Sequence, residues 1–197
     1  MSENTVELLI PKVLNTITKG KKSANPKLIV LMGLPGTGKS YVADYLNRKY
    51  GFTILSGENF TFALFGTGKH SADKYILAYN VLRELSRRLI KQGYSIVIDG
   101  TNLKFIYRQQ IYKDVGLKFK TLLFYLFVDD KIALERTKRR GENYNSLQNI
   151  KSSCSVGTFN KFKEQLEEPL AKEKYFKIKS DKNILRKIDL IFKKIWS

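Results

Sequence analysis

Gly33-Leu34-Pro35-Gly36-Thr37-Gly38-Lys39-Ser40 is the stretch whose reading decides the fold. It fits the pattern G-x-x-x-x-G-K-[ST] without a gap. Gly33, Gly36 and Gly38 let the backbone take conformations that a Cβ forbids, so that successive N–H groups can point inward. Those amides form a concave nest for a polyphosphate, reinforced by the positive end of a helix expected to start near Lys39. Lys39 is expected at the β- and γ-phosphates and the Ser40 hydroxyl on Mg²⁺. Leu34, Pro35, Thr37 and Tyr41 complete the expected nucleotide cradle. The flanks agree with this reading. Lys27-Leu-Ile-Val-Leu-Met32 has the character of a buried strand, and Lys39 to Tyr50 that of a helix with Val42 and Leu46 on one face. The stretch therefore predicts binding of a nucleoside triphosphate.

Outward from this loop, strands and helices alternate. Phe52–Leu55 is expected as a second strand, followed by a turn and short helix over 56–66. A long helix is expected from Ser71, its N-cap, to Gln92, stopped by Gly93, with Ile76, Tyr79, Leu82, Leu85 and Leu89 as its apolar face. Tyr94–Asp99 reads as a third strand, Lys104–Val115 as a helix closed by Gly116, and Thr121–Val128 as a strand buried on both faces. Asp129 caps a helix carrying Arg136, and a polar stretch spans 141–155. A helix near 159–168, a strand over 175–178 and a helix over 183–196 complete the order. Residues 1–20 are expected as an amphipathic helix through Val6, Leu9, Ile10, Val13 and Ile17, joined by a polar linker to residue 26. This alternation predicts an α/β architecture with a doubly wound parallel sheet. Ligands then belong at the carboxyl ends of the strands, where Gly33, Ser56 and Asp99 fall.

A chain of 197 residues suffices for one domain with a full core. No apolar run reaches the length of a membrane span, and the first residues lack a signal peptide's basic flank and apolar stretch. Cys154 is the single cysteine, which excludes an internal disulfide and a cysteine-rich zinc site. A cytoplasmic location is the expectation. The formal net charge is +18, from 27 lysines and 9 arginines against 18 acids. Such a charge suits a nucleic-acid surface. It equally suits an AT-rich coding sequence that spreads lysines over solvated faces.

Asp99 ends an apolar strand and precedes the polar Gly100-Thr-Asn102. A carboxylate there can hold Mg²⁺ beside Ser40, or cap the next turn. Together, Gly33–Ser40, Asp99-Gly-Thr-Asn-Leu103 and Leu134-Glu-Arg-Thr-Lys-Arg-Arg-Gly141 resemble the polynucleotide-kinase-like group of P-loop kinases, of which zeta toxins are more distant relatives. The resemblance covers about residues 27–180. It implies the P-loop NTPase fold, ATP and Mg²⁺ as ligands, and transfer of the γ-phosphoryl group to a hydroxyl of a nucleic-acid 5′ end, a nucleoside or a small alcohol. It further implies a kinase domain over 27–197 after an N-terminal extension over 1–26, and a mobile lid over about 136–156.

By the same resemblance, Arg136 lies against the nucleotide and Arg140 reaches the transferring phosphoryl group, although a basic helix end suits the helix dipole without any such role. The chain departs from the group after the second strand. Glu58 stands where those kinases place an Asp that acts as base, and Thr61 stands in place of an Arg. Glu58 can accept a proton, or can serve as a solvated or helix-capping acid. Lys39, Glu58, Asp99 and Arg140 are thus the expected catalytic set. His70, Tyr107, Arg108, Gln109 and Cys154 are weaker candidates, with surface or buried structural placements as alternatives. Two further function classes remain open: a regulatory or switch-type ATPase that acts through a partner, and a nucleic-acid-binding module with ATP as a structural ligand. Against a guanine-specific switch, the chain has no N-K-x-D element.

Overall fold

Alternating residues of the strand before the loop enter opposite cores, and this decides how the helices are distributed. The computed structural model describes residues 3–68, 70–116, 120–142 and 154–196. Its strands are β1 (Lys27–Met32), β2 (Thr53–Ser56), β3 (Ile96–Asp99), β4 (Lys120–Phe127) and β5 (Tyr175–Lys179). They form one parallel sheet in the order β2-β3-β1-β4-β5. Leu28, Val30 and Met32 of β1 face one cluster with α1 (Glu3–Val13), α3 (Gly57–Phe65) and α4 (Ala72–Lys91). Ile29 and Leu31 face the other, with α2 (Lys39–Tyr50) and α8 (Ile184–Trp196). A strand buried on both faces must be apolar throughout, and all of Leu28–Met32 is fully buried. The remaining helices are α5 (Phe105–Ile111), which widens into a π turn over Tyr112–Gly116, α6 (Asp130–Glu142) and α7 (Val156–Glu164). The architecture is the α/β P-loop NTPase fold, with helices on both faces of a parallel sheet. Among the described residues no helix is long and apolar enough to cross a membrane.

Several boundaries depart from the sequence pattern. The N-terminal helix stops at Val13, and a 3₁₀ turn over Leu14–Thr16 follows. Beyond it the chain runs extended along the sheet edge. Ile54 N–H donates to Thr18 O at 2.9 Å, Lys21 N–H to Gly51 O at 2.8 Å, and Ser23 N–H to Gly93 O at 2.7 Å. Edge strand β2 and the turn after α4 offer backbone groups that need partners, and these outcompete the helical periodicity. Ile10 and Val13 are buried in the core, so α1 packs on the sheet layer. On α4 the buried stripe is Ala78, Val81, Leu82, Leu85, Leu89 and Ile90, whereas Ile76 is exposed and Tyr79 only half-buried. Helix α7 begins earlier than its apolar pattern suggests, because Ser155 Oγ caps Thr158 N–H, and it ends at Glu164 ahead of Pro169.

The segment after α7 carries a buried ion pair. Arg108, expected at the helix surface or at an acceptor, is completely buried. Its Nε and Nη2 donate to the two Glu173 carboxylate oxygens at 2.8 and 2.9 Å, and its Nη1 donates to Asn102 O and Leu103 O at 3.1 and 2.7 Å. The Tyr112 hydroxyl and Leu170 N–H also donate to Glu173. Burial alone would raise the Glu173 carboxyl; these donors, Arg108 first, outweigh it and hold the group below the usual glutamate range.

Removing one partner of such a pair leaves a buried unpaired charge, at a cost of about 3–5 kcal/mol. Arg108→Met is therefore expected to lower the urea midpoint strongly, and Glu173→Gln less so because its amide keeps one acceptor. A depressed carboxylate contributes stability above its unfolded pKa and loses it as pH falls through the folded value. The parent should lose this contribution below about pH 4, a step absent from Glu173→Gln. Urea titrations across pH check both outcomes.

Candidate functional site

Three chain segments meet at the carboxyl ends of β1, β2 and β3. Register sets Ser56 of β2 directly beside Asp99 of β3, and β1 lies next to β3. The loop after β1 is held from two sides. Gly33 N–H donates to Thr101 O at 3.1 Å, and Thr37 Oγ1 donates to Leu34 O at 2.8 Å. Gly36 has φ +81°, and a Cβ there would sit 2.1 Å from Ala133 O of α6. The loop thus has room for glycine only, both in conformation and in space. Leu34 anchors it from below in a small cluster with Leu103, Ala133, Cys154 and Phe159.

Lys39 opens α2 behind Gly38, is mostly buried, and donates from Nζ to Leu34 O at 2.8 Å. Its ammonium is thereby kept over the loop. Ser40 stands close enough to Asp99 for its hydroxyl to hold the carboxyl's pKa down. Burial is the main cause that raises the Asp99 pKa; Lys39 and Ser40 lower it, while the Glu58 and Asp44 charges raise it further. Net, the carboxyl sits above the ordinary aspartate value. An acid in this position lacks cationic charge, which a divalent ion beside Ser40 would provide. The residues present therefore fit Mg²⁺. Among the described residues no three His, Cys, Asp or Glu side chains converge on a metal site, so the rest of its shell would be phosphate and water oxygens.

Glu58 lies exposed in the first turn of α3, whose N-cap Ser56 accepts from Asn59 N–H at 3.3 Å. Thr61 is buried and donates to Gly57 O at 2.8 Å, so its side chain is spent within its own helix. Arg136 reaches back from α6 to Gly36 O of the loop at 3.4 Å and to Ser180 Oγ at 3.2 Å. Helix α6 passes through Arg140 to Glu142, but the Arg140 side chain and residues 143–153 of the expected lid lie outside the described residues. Tyr41, at the start of α2, is half exposed. His70 contacts Gly66 O at 3.1 Å and packs between Phe65 and Tyr75, away from the Lys39–Asp99 cluster. Gln109 is exposed on α5. Cys154 is buried, and burial raises its thiol pKa despite the nearby Lys39.

Two features were not legible as site elements. Arg108 and Glu173 build the floor under Asn102 and Leu103 rather than touch a ligand. Tyr79, assigned to the apolar face of its helix, points instead to the strand ends. A Cβ on Gly57 would meet its ring at 3.2 Å, and one on Gly100 would lie 2.5 Å from its hydroxyl oxygen. The signal available in sequence was a glycine directly after the last residue of both β2 and β3.

The fold is shared with known proteins. The structure resembles a sugar kinase from Janibacter sp. HTCC2649 with a TM-score of 0.65 at 14% identity, covering 85% of this chain and 93% of that one. It resembles Kti12 of Chaetomium thermophilum, solved with ADP-AlF3, with a TM-score of 0.63 at 18% identity over 86% of this chain and all of that one. It also matches a chain of the Pnkp1/Rnl/Hen1 RNA repair complex with a TM-score of 0.56 at 21% identity, over 75% and 48% of the two chains. These likenesses show the fold, which this chain shares with P-loop kinases. No curated protein sequence matches the chain. Residues 28–169 match the family model AAA_33, described as AAA domain, and the chain belongs to that nucleotide-binding P-loop family.

Proposed function

We propose that the protein is an ATP- and Mg²⁺-dependent phosphotransferase that moves the γ-phosphoryl group to a hydroxyl acceptor. The observation that supports this reading is the convergence on Asp99 of Ser40 and Lys39, at the start of α2, and of Glu58, each close enough to act on its charge. In this reading the phosphate-side and acceptor-side groups meet around Asp99. The loop amides, Lys39 and Arg136 would hold ATP, while Ser40 and Asp99 would hold Mg²⁺. When bound, the ion would neutralise charge on the β- and γ-phosphates. The acceptor oxygen attacks phosphorus in line, the new P–O bond forms as the bond to the β–γ bridging oxygen breaks, and ADP leaves. Glu58 takes the hydroxyl proton, and Arg140 stabilises charge on the transferring group. A nucleic-acid 5′ end, a sugar and a small alcohol are the acceptor classes that this chemistry admits. A cytoplasmic setting, where ATP is supplied, belongs with this reading.

Three outcomes follow from the geometry. Lys39→Ala abolishes most of the thermal stabilisation by Mg-ATP while the nucleotide-free protein melts as the parent does. Equal stabilisation of both proteins would refute the reading.

Asp99 titrates above its ordinary value, so the folded state binds its proton more readily than the unfolded chain. Its ionised form therefore costs stability at neutral pH, and that cost disappears as pH falls through the folded pKa. Asp99→Asn removes the cost, and metal-free protein should melt higher at pH 7, by about 2–4 °C for each kcal/mol relieved. The same variant loses Mg²⁺-dependent nucleotide affinity. Scanning calorimetry with and without Mg-ATP reads both effects.

Acceptor and phosphoryl roles separate in a third comparison. Once an acceptor is found with labelled ATP, Glu58→Gln suppresses transfer by about 10²–10⁴-fold, the range of a positioned base, while hydrolysis of ATP by water continues. Arg140→Ala depresses both reactions. If no acceptor is phosphorylated and both variants hydrolyse ATP like the parent, a regulatory ATPase is the better description.

A further inference from the structure

Tyr79 is the residue at the strand ends that the phosphotransfer scheme leaves without a task. Its ring lies across Gly57, the residue before Glu58, and its hydroxyl oxygen lies over Gly100, the residue after Asp99. A side chain at either glycine would displace it; at Gly100 even a methyl group would lie 2.5 Å from the hydroxyl oxygen. The two positions where β2 and β3 end are thus both shaped to admit this one tyrosine. Among the described residues its hydroxyl has no hydrogen-bond partner, although it stands near the Asp99 charge. Burial and that charge both raise its pKa, so the group is a protonated donor at neutral pH. The Oδ1 of nearby Asn102 is buried and has no hydrogen-bond partner among the described residues. Polar groups left so at the end of a cleft mark a place where a ligand supplies the missing bonds.

The surroundings define what that ligand is. Tyr107, at the start of α5, stands beside Tyr79 with ring centroids 6.4 Å apart and planes inclined by 30°. Tyr107 is 39% exposed, so the two rings make an open aromatic wall next to the hydroxyl donor. Carboxylates flank this wall, namely Glu58 and Asp99, with Asp44 close enough to act on Asp99. An anionic acceptor would be repelled there, and a flexible open-chain alcohol would gain little from the rings. The apolar face of a sugar ring or a nucleoside lies flat on such a wall and keeps a hydroxyl free for chemistry.

We infer that Tyr79 and Tyr107 form the acceptor subsite, in which the Tyr79 hydroxyl donates to the acceptor oxygen and the two rings hold an uncharged cyclic alcohol. This rests on the phosphotransferase reading and narrows its substrate class. Tyr79 orients the attacking oxygen between its own hydroxyl and the Glu58 carboxylate, and transfers no proton itself.

The test is isothermal titration of Mg-AMP-PNP-loaded protein with four probes: glucose and uridine as neutral cyclic alcohols, glycerol as an open-chain one, and gluconate as an anion. At least one cyclic probe is expected to bind, more tightly than glycerol or gluconate. Tyr79→Phe should weaken that probe about three- to tenfold, the loss of one hydrogen bond, and Tyr107→Ala by a comparable factor. The affinity for Mg-AMP-PNP itself, measured in the same variants, should not move. The inference is overturned if no cyclic probe binds, if gluconate or glycerol binds as tightly, or if Tyr79→Phe binds the cyclic probe like the parent. It is also overturned if the loss falls on Mg-AMP-PNP instead, which would make Tyr79 a support for Asp99. Failure of the parent to bind Mg-AMP-PNP at all would refute the phosphotransferase reading first, and this inference with it.

Discussion

The Arg108–Glu173 pair is the contact on which the site depends. A guanidinium and a carboxylate taken wholly out of water are costly unless every donor and acceptor is used. Here Arg108 spends its remaining donors on the carbonyls of Asn102 and Leu103, the end of the loop that follows Asp99. Asn102 can then hold φ +45°, a left-handed conformation that asparagine tolerates better than most residues. Its side-chain amide donates to Leu31 O in β1, and Thr101 O receives Gly33 N–H. The phosphate loop is therefore tied through Asn102 to the buried Arg108–Glu173 pair. Distortion there reaches both Asp99 and the start of the nucleotide cradle.

The site also stores an electrostatic conflict. Asp99, Glu58 and Asp44 bring negative charge to a place where burial already disfavours it, and Lys39 offsets only part of the cost. A fold selected for stability alone would not keep an ionised acid there. In the proposed function a cation and a polyphosphate would resolve the conflict on binding, because the ion would pair with the acids while the loop amides and Lys39 would take up the phosphate charge. Ligand binding and relief of strain in the charge distribution are then the same event. This is the physical sense in which the cleft is built for a nucleotide rather than for its own stability.

The acceptor side is organised by different forces. With Thr61 turned inward on its own helix, no cation comes from that position. The wall is made instead of Tyr79 and Tyr107, with Glu58 beside it. As proposed, aromatic surface and carboxylates would select by shape and neutrality, whereas the phosphate side would select by charge. The two halves of the cleft thus discriminate by separate means.

The sequence by itself determined the phosphate loop, the parallel sheet and the strand-end acid. Each rests on local rules: glycines where only glycine fits, apolar runs where a strand is buried on both faces, and a polar residue where a strand ends. Residues 33–40, 27–32 and 96–99 carry those signals without help from the rest of the chain. What only the tertiary structure decided are the partners distant in sequence. Arg108 and Glu173 are far apart in the chain, and nothing near either one says that a charge will be buried. Thr18 falls within the expected N-terminal helix, yet an open sheet edge claims its backbone. Tyr79 keeps helical spacing with Leu82, but the space above Gly57 and Gly100 draws it to the cleft. Periodicity reports what a segment prefers in isolation. Hydrogen-bond demand and free volume in the assembled fold decide where its exceptions go.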